Sequence, residues 1–550
     1  MAALTLALAT LYFAITFADA WHQCNVSART ESGWVCGTRR LDSDGGTYAS
    51  FRGVPYASQP VGNLRFKELQ PAKPWNGYLN ATIEGPVCPF HDIFYGSLLQ
   101  PQGVSEACIH ANIHVPFNGL PKPGSSLGSS RRLPVLVYIH GGGWIDGSGD
   151  ADVNGPEYLV SKDVIVITFN YRLDVFGFLC LNTAKAPGNN GLRDIVTFLQ
   201  WVQRNVHYFG GDPDDVTLAG QSAGSSSAHL LSLSPVTKGL FKRIWLMSGT
   251  AIQSYYTASP KFTQLVTSSF LSLLDLGSVS HEEAYDRLVE MPFDVIMNAS
   301  TKLLAQFGVT TFVPVVESKY PNVTAIIEDD PEVLLEKGYG KDIPLVIGFT
   351  NVECETSRYR LADIDIVNRY NENPSIGLSP HLLFTKPSDE IRNMSQKVSL
   401  RYFNGKPATL DEFIKLCTET YFQYPALKLA RLRAASRGAP VWLYKFAYNA
   451  DYSALKISKN MTYVGAGHSE DMTTLFKTNS LDVPHSNNDK KMIKTLTDLL
   501  VSFVKNNEPA RWHWPAIGND LEYQFLESYK LQYVRISEYD QEMVHFFDTL

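Results

Sequence analysis

Apolar residues along the middle of the chain fall into two alternating patterns. "LPVLVYI" (133–139), "VIVITF" (164–169), "DDVTLAG" (214–220), "KRIWLMSG" (242–249), "IPLVIGFT" (343–350) and "VWLYKFAY" (441–448) are short runs rich in Val, Ile and Leu. Such nearly continuous runs predict strands covered on both faces. Between them, "NNGLRDIVTFLQWVQRNV" (189–206) carries Leu192, Ile195, Val196, Leu199 and Val202 at helical spacing after a turn-forming Asn-Gly, and "SAGSSSAHLLSL" (222–233) is helix-like. Strands alternating with helices predict an α/β fold around a large, mostly parallel central sheet, whose chemistry belongs at the carboxyl ends of the strands. No internal repeat interrupts the pattern. The Pro/Gly/Ser-rich stretch 119–134 is expected to be a surface loop, because a strand pattern resumes at once. We therefore expect one domain over residues 21–550.

The first twenty residues form a different kind of segment. An apolar run from Leu4 to Ala18 ends in Ala18-Asp19-Ala20, which suits signal peptidase, and it is shorter than the ~20 residues that a spanning helix needs. Residues 1–20 are expected to be a removed signal peptide, and the mature chain to be secreted with no membrane span. Six Asn-x-Ser/Thr sites, at Asn25, Asn80, Asn298, Asn322, Asn393 and Asn460, fit that compartment. So do seven cysteines, an odd number that leaves one thiol over; Cys88 with Cys108 and Cys24 with Cys36 are the expected short-range disulfides, against the plainer possibility of small buried apolar residues. The composition is that of an ordinary globular protein, 44% hydrophobic and 19% charged. A formal charge of -7 without any long Lys/Arg cluster argues against a nucleic-acid partner.

Candidate chemistry sits where the strands end. "VTLAGQSAGSSSAHLL" sets Ser222 inside G-Q-S-A-G between a strand and a helix pattern, the setting in which a tight turn exposes a nucleophilic hydroxyl. A serine hydroxyl needs a base, an acid that orients the base, and donors for the oxyanion. "IHGGGW" offers backbone N–H groups at Gly141, Gly142 and Gly143 after another strand. "LVIGFTNVECETSR" puts Glu353 just past a strand, with Glu355 as a neighbouring alternative, and "GAGHSED" puts His468 in a glycine-rich loop. The order serine, carboxylate, histidine is that of the α/β-hydrolase arrangement.

Beyond those motifs, "YASFRGVPYASQPVGNLRF", "SEAC", "NYRLDVFGFL", "GNNGLRD" and "FGGDPDDVTLAGQSAG" occur in order over about residues 31–515, and with them the chain resembles a type-B carboxylesterase of the cholinesterase-like α/β-hydrolase family. The resemblance implies helical insertions that form a gorge, with Ser222 as nucleophile, His468 as base and Glu353 as acid, the last because Gly348 aligns with the family's glycine. It implies Gly142, Gly143 and Ala223 as oxyanion donors, Arg65–Glu106 and Arg172–Asp194 as buried ion pairs, and Ser248 as a brace for the acid. Three departures stand out: Gln221 replaces a usual Glu, so a negative charge is missing beside the site; no tryptophan lies between Cys88 and Cys108; and Asp174 replaces a usual glycine. The first two disfavour cationic substrates. G-Q-S-A-G resembles insect juvenile hormone esterases, and "TNVECE" resembles moth antennal esterases that degrade acetate odorants.

The expected function is a secreted serine carboxylesterase for uncharged lipophilic esters, working through an acyl-enzyme without metal or cofactor. Candidate substrates are odorant acetates, juvenile hormone-type methyl esters and xenobiotic esters. A catalytically silent binding or adhesion protein on the same fold, and a secreted lipase, are the alternatives.

Overall fold

The computed structural model describes residues 24–121, 132–252, 259–308, 310–510, 513–518 and 520–550. The expected signal peptide and most of the 119–134 loop lie outside the described residues. Three short strands, β1 (Ser27–Thr30), β2 (Gly33–Cys36) and β5 (Tyr78–Asn80), form a small sheet near the start. The remaining eleven make one large sheet: β3 (Thr38–Leu41), β4 (Thr47–Pro55), β6 (His110–Pro116), β7 (Leu133–Ile139), β8 (Ile165–Phe169), β9 (Gly211–Gln221), β10 (Arg243–Met247), β11 (Leu345–Thr350), β12 (Val441–Phe446), β13 (Glu522–Leu526) and β14 (Gln532–Arg535). Their spatial order is β14-β13-β12-β11-β10-β9-β7-β8-β6-β4-β3. Every pairing from β8 through β7 to β13 is parallel, and the pairings at both margins are antiparallel.

Side chains alternate across this sheet with the period of two that a pleat imposes. Val135, Val137 and Ile139 of β7 enter one apolar cluster together with Leu192, Ile195 and Leu199 of the helix Asn190–Asn205. Leu136 and Tyr138 enter the other, against Met492, Leu496, Leu500 and Phe503 of the helix Asn487–Asn506. Both faces are thus covered, which is why the central strands read as unbroken apolar runs rather than alternating ones. The helix expected at 189–206 spans Asn190–Asn205, and the strand expected at 441–448 stops at Phe446.

Two long connections, β10 to β11 and β11 to β12, are helical. The second includes the helices Ser388–Phe403 and Leu410–Thr418 around their own cluster of Tyr370, Val398, Phe403 and Phe413. Disulfides join Cys24 to Cys36, Cys88 to Cys108 and Cys354 to Cys417, and Cys180 is a buried free thiol. The first two are the short-range pairs expected from spacing. The third spans 63 positions and carried no local signal. Among the described residues no helix is long and apolar enough to cross a membrane.

Candidate active site

β9 ends at Gln221, and the helix Ala223–Ser232 begins two residues later. The turn between them is one residue, Ser222, at φ 55° and ψ -123°, a conformation that side-chain-bearing residues rarely adopt. It is held at both ends: Ser222 N–H donates to Met247 O (2.8 Å), and Ser222 O accepts from Ser226 N–H (2.9 Å). The flanking glycines are required by crowding. A Cβ on Gly220 would stand 2.3 Å from Gly224 O, and one on Gly224 would stand 2.1 Å from Ile139 O. Helix and sheet therefore approach more closely than any larger residue allows, and the serine is pushed out at the strand end.

The loop after β7 lies against this turn. Gly141 is close enough that an added Cβ would meet Ser222 Cβ at 3.0 Å. Gly142 takes φ 107°, and a Cβ there would stand 2.1 Å from Asp146 O. The glycine loop after β7 and the first residue of the helix Ala223–Ser232 therefore both border Ser222, and Ala223 is buried.

Glu353 opens the 3-10 turn Glu353–Ser357 after β11 and is fully buried. Its Oε1 accepts from Ser248 Oγ (2.7 Å) and Thr350 N–H (2.7 Å), and its Oε2 lies 2.7 Å from His468 Nδ1. His468 N–H also donates to Glu353 O (3.0 Å), so backbone and side chain hold the histidine to the same residue. Facing a carboxylate, Nδ1 carries the proton and Nε2 has the lone pair. That lone pair lies 3.1 Å from Gln221 Nε2, whose N–H donates to it. The Phe422 ring packs on the imidazole at 4.6 Å between centroids. Glu355, the alternative acid, pairs with Arg358 at 2.7 Å instead.

Behind the histidine, Asp471 accepts from Tyr444 Oη (2.7 Å), and burial pushes its carboxyl up to about 6. Farther out, Arg172 and Asp194 pair at 2.6 Å, both buried, and Arg65 grips Glu106 with two bonds of 2.6 Å. Asp174, which stands where a glycine was expected, does adopt a glycine-like φ of 49°. Its carboxylate accepts from Ser300 Oγ (2.5 Å) and lies 3.0 Å from His91 Nε2, which offsets the strain of that conformation.

The arrangement thus joins Glu353, His468 and Ser248 directly and brings Gln221, and with it the Ser222 turn, to the imidazole. Comparison with known proteins gives the family. The profile of the carboxylesterase family matches residues 25–547. The chain belongs to the carboxylesterase family. Among its members, this carboxylesterase is 47% identical to the juvenile hormone esterase of Heliothis virescens, over 99% of this chain and 98% of that one. It is 33% identical to esterase FE4 of Myzus persicae, over 88% and 84% respectively. The crystal structure of juvenile hormone esterase from Manduca sexta, with OTFP covalently attached, superposes with a TM-score of 0.92 at 48% identity, covering 95% of this chain and 99% of that one. The fold is the α/β-hydrolase fold, and the carboxylesterase is a carboxylic ester hydrolase.

Two features of the carboxylesterase site were not legible in the chain. Phe422 belongs to a π-helical turn, Glu419–Gln423, that no local pattern marks. Gln221 could be noted as a missing charge, but its bond to the imidazole depends on residues 247 positions apart.

Proposed function

We propose that this carboxylesterase is a secreted serine esterase that cleaves uncharged lipophilic esters, with a juvenile hormone-type methyl ester as its preferred substrate class. Ser222 Oγ attacks the ester carbonyl while His468 Nε2 takes its proton; Glu353 keeps the imidazole in the tautomer that can do so. The oxyanion rests on the N–H groups of Gly142, Gly143 and Ala223, the alcohol leaves with the proton from His468, and water then releases the acid. Gln221 gives up its bond to Nε2 when the serine proton arrives.

One observation carries this reading: the 2.7 Å contact of His468 Nδ1 with buried Glu353, at the residue pair Gln221–Ser222 where β9 ends in a strained turn. The absence of an acid at 221 and the names of two relatives support the lipophilic, uncharged substrate. Secretion is supported by the leader-like residues 1–20, by three disulfides and by the exposure of all six Asn-x-Ser/Thr asparagines.

The test is a substrate panel on protein recovered from the medium of secreting cells: a juvenile hormone-type methyl ester, short acetate esters and a triacylglycerol. Ser222→Ala is expected to lose at least about 10⁴-fold in kcat and all labelling by an organophosphate. A variant that keeps its activity removes Ser222 from the mechanism; an active wild type that prefers acetates or the triacylglycerol removes the substrate class alone.

A further inference from the structure

The small sheet of β1, β2 and β5 has one covered face and one bare face. Val35 and Leu79 pack on the main apolar cluster, and strand alternation turns Trp34, Tyr78 and Asn80 the other way. Register sets Trp34 directly opposite Tyr78, and Cys36 opposite Asn80. The two rings pair with their centroids 5.9 Å apart, yet Trp34 stays 37% and Tyr78 45% exposed. Single exposed rings are ordinary on a protein surface. A cross-strand pair of them is a flat apolar platform left in water.

Asn80 stands beside that platform as the acceptor of an Asn-x-Thr site, Asn80-Ala81-Thr82, with Tyr78 two residues before it. The asparagine is exposed. Its Oδ1 accepts from Thr82 Oγ1 (2.7 Å) and from Thr82 N–H (3.2 Å), which fixes the plane of the amide. The other branch of that amide, Nδ2, donates to no group among the described residues. Residues two apart on one strand face lie about 7 Å from each other, a gap that a pyranose ring linked through the amide crosses. The axial C–H bonds on one side of such a ring present their positive ends, and an aromatic face is negative. The neighbour at the same offset distinguishes this site from Asn25, which lies just before β1 and follows Gln23 instead of an aromatic residue.

We propose that Asn80 carries an N-linked oligosaccharide whose first N-acetylglucosamine lies on Tyr78 and Trp34 and closes the bare face of the small sheet. This rests on the secreted reading above, since the sugar is added in the secretory compartment. In the transfer a bond forms between Asn80 Nδ2 and C1 of the sugar of a lipid-pyrophosphate-linked oligosaccharide. The bond from C1 to the pyrophosphate oxygen breaks, the lipid pyrophosphate leaves with that electron pair, and the amide gives up one proton. Oδ1 takes no part and keeps both of its bonds to Thr82, so the modified side chain retains the orientation that sets the sugar beside the rings.

The experiment has two readouts on full-length protein recovered from the medium of secreting cells. Glycopeptide mass spectrometry reads occupancy at Asn80, and hydrogen exchange of the β2 and β5 amides reads the packing of the sugar. The forms compared are the wild type, Asn80→Gln, Tyr78→Thr, the double variant of these two, and Asn25→Gln. Asn80 is expected to be occupied, and Asn80→Gln to speed exchange of both strands about two- to tenfold. In the background of Tyr78→Thr the same loss of the sugar should change nothing, and Asn25→Gln should leave both strands as they are. If Tyr78→Thr is not recovered folded, Tyr78→Leu, which keeps apolar bulk without an aromatic face, decides by the same comparison. Secreted protein with Asn80 bare overturns the proposal and leaves secretion standing, whereas a chain that never reaches the medium overturns both. An equal effect of Asn80→Gln with and without the tyrosine, or no effect in either, means a sugar that does not rest on the rings and also overturns it.

Discussion

Replacing Gln221 by Glu puts a negative charge next to the imidazole that is proposed to act as base. In the native site an uncharged amide nitrogen lies 3.1 Å from His468 Nε2. A carboxylate in its place would stand with its charge centre about 4 Å from the ring, where the attraction to an imidazolium is about 4 kcal/mol at an effective dielectric of ~20. At ~1.4 kcal/mol per pH unit this bounds the effect at about three units. Two factors reduce it: the imidazole is 18% exposed, so water screens the pair, and the residue at 221 is 1% exposed, so the new carboxylate resists ionising. We expect a net effect of about one to two units. The sign follows from the role of the base: it works only when neutral, a neighbouring anion favours its protonated form, and so activity must appear at higher pH. The assay is kcat/KM for p-nitrophenyl acetate from about pH 5 to 9, for the native enzyme, Gln221→Glu and the neutral control Gln221→Met. The acid limb should move up by about one to two units in Gln221→Glu and stay in place in Gln221→Met. A limb that does not move, or that moves down, would mean that the group titrating in the rate profile is not the histidine beside residue 221.

Three structural predictions accompany it. Arg172→Met leaves fully buried Asp194 without its charge partner and is expected to cost about 3–5 kcal/mol by denaturant unfolding, most of it recovered by adding Asp194→Leu; an equally unstable double variant would contradict the electrostatic origin. Removing Cys354–Cys417 by paired serine substitutions releases a constraint across 63 positions, worth up to about 4 kcal/mol, and should lower both the Tm and the esterase rate because Cys354 follows Glu353; an unchanged rate would separate the disulfide from the site. In Gly348→Ala the new Cβ would fall 1.8 Å from Tyr444 Cζ, so the buried ring must leave its bond to Asp471; a loss of about 3 kcal/mol or more is expected, and an unaltered Tm would refute that packing.

The central strands and the Ser222 turn could be read from the chain because their causes are local. Continuous Val/Ile/Leu runs demand cover on both faces, and Gly220 and Gly224 fall two residues either side of Ser222 because a Cβ at either collides with backbone. The short-range disulfides were legible for the same reason. Glu353 needed more, since Glu355 stands two residues away on the same turn; what separates them is whether Ser248 and Thr350 or Arg358 lies opposite, and that is a property of packing. Cys354–Cys417 and Phe422 were out of reach altogether, because both depend on how the helices between β11 and β12 fold back on the sheet. Asp174 shows a substitution whose compensation is invisible in the primary structure: the two groups that receive its carboxylate, His91 and Ser300, come from distant segments.

Cys417 closes the helix Leu410–Thr418, the π-turn that supplies Phe422 follows directly, and the cysteine is bonded to the residue after Glu353. The segment that places Phe422 on the imidazole is therefore covalently tied to the segment that places Glu353. Cutting that one bond would free the helix and the Phe422 turn from Glu353 together, so the covalent link couples the ring that packs on the imidazole to the carboxylate that holds it.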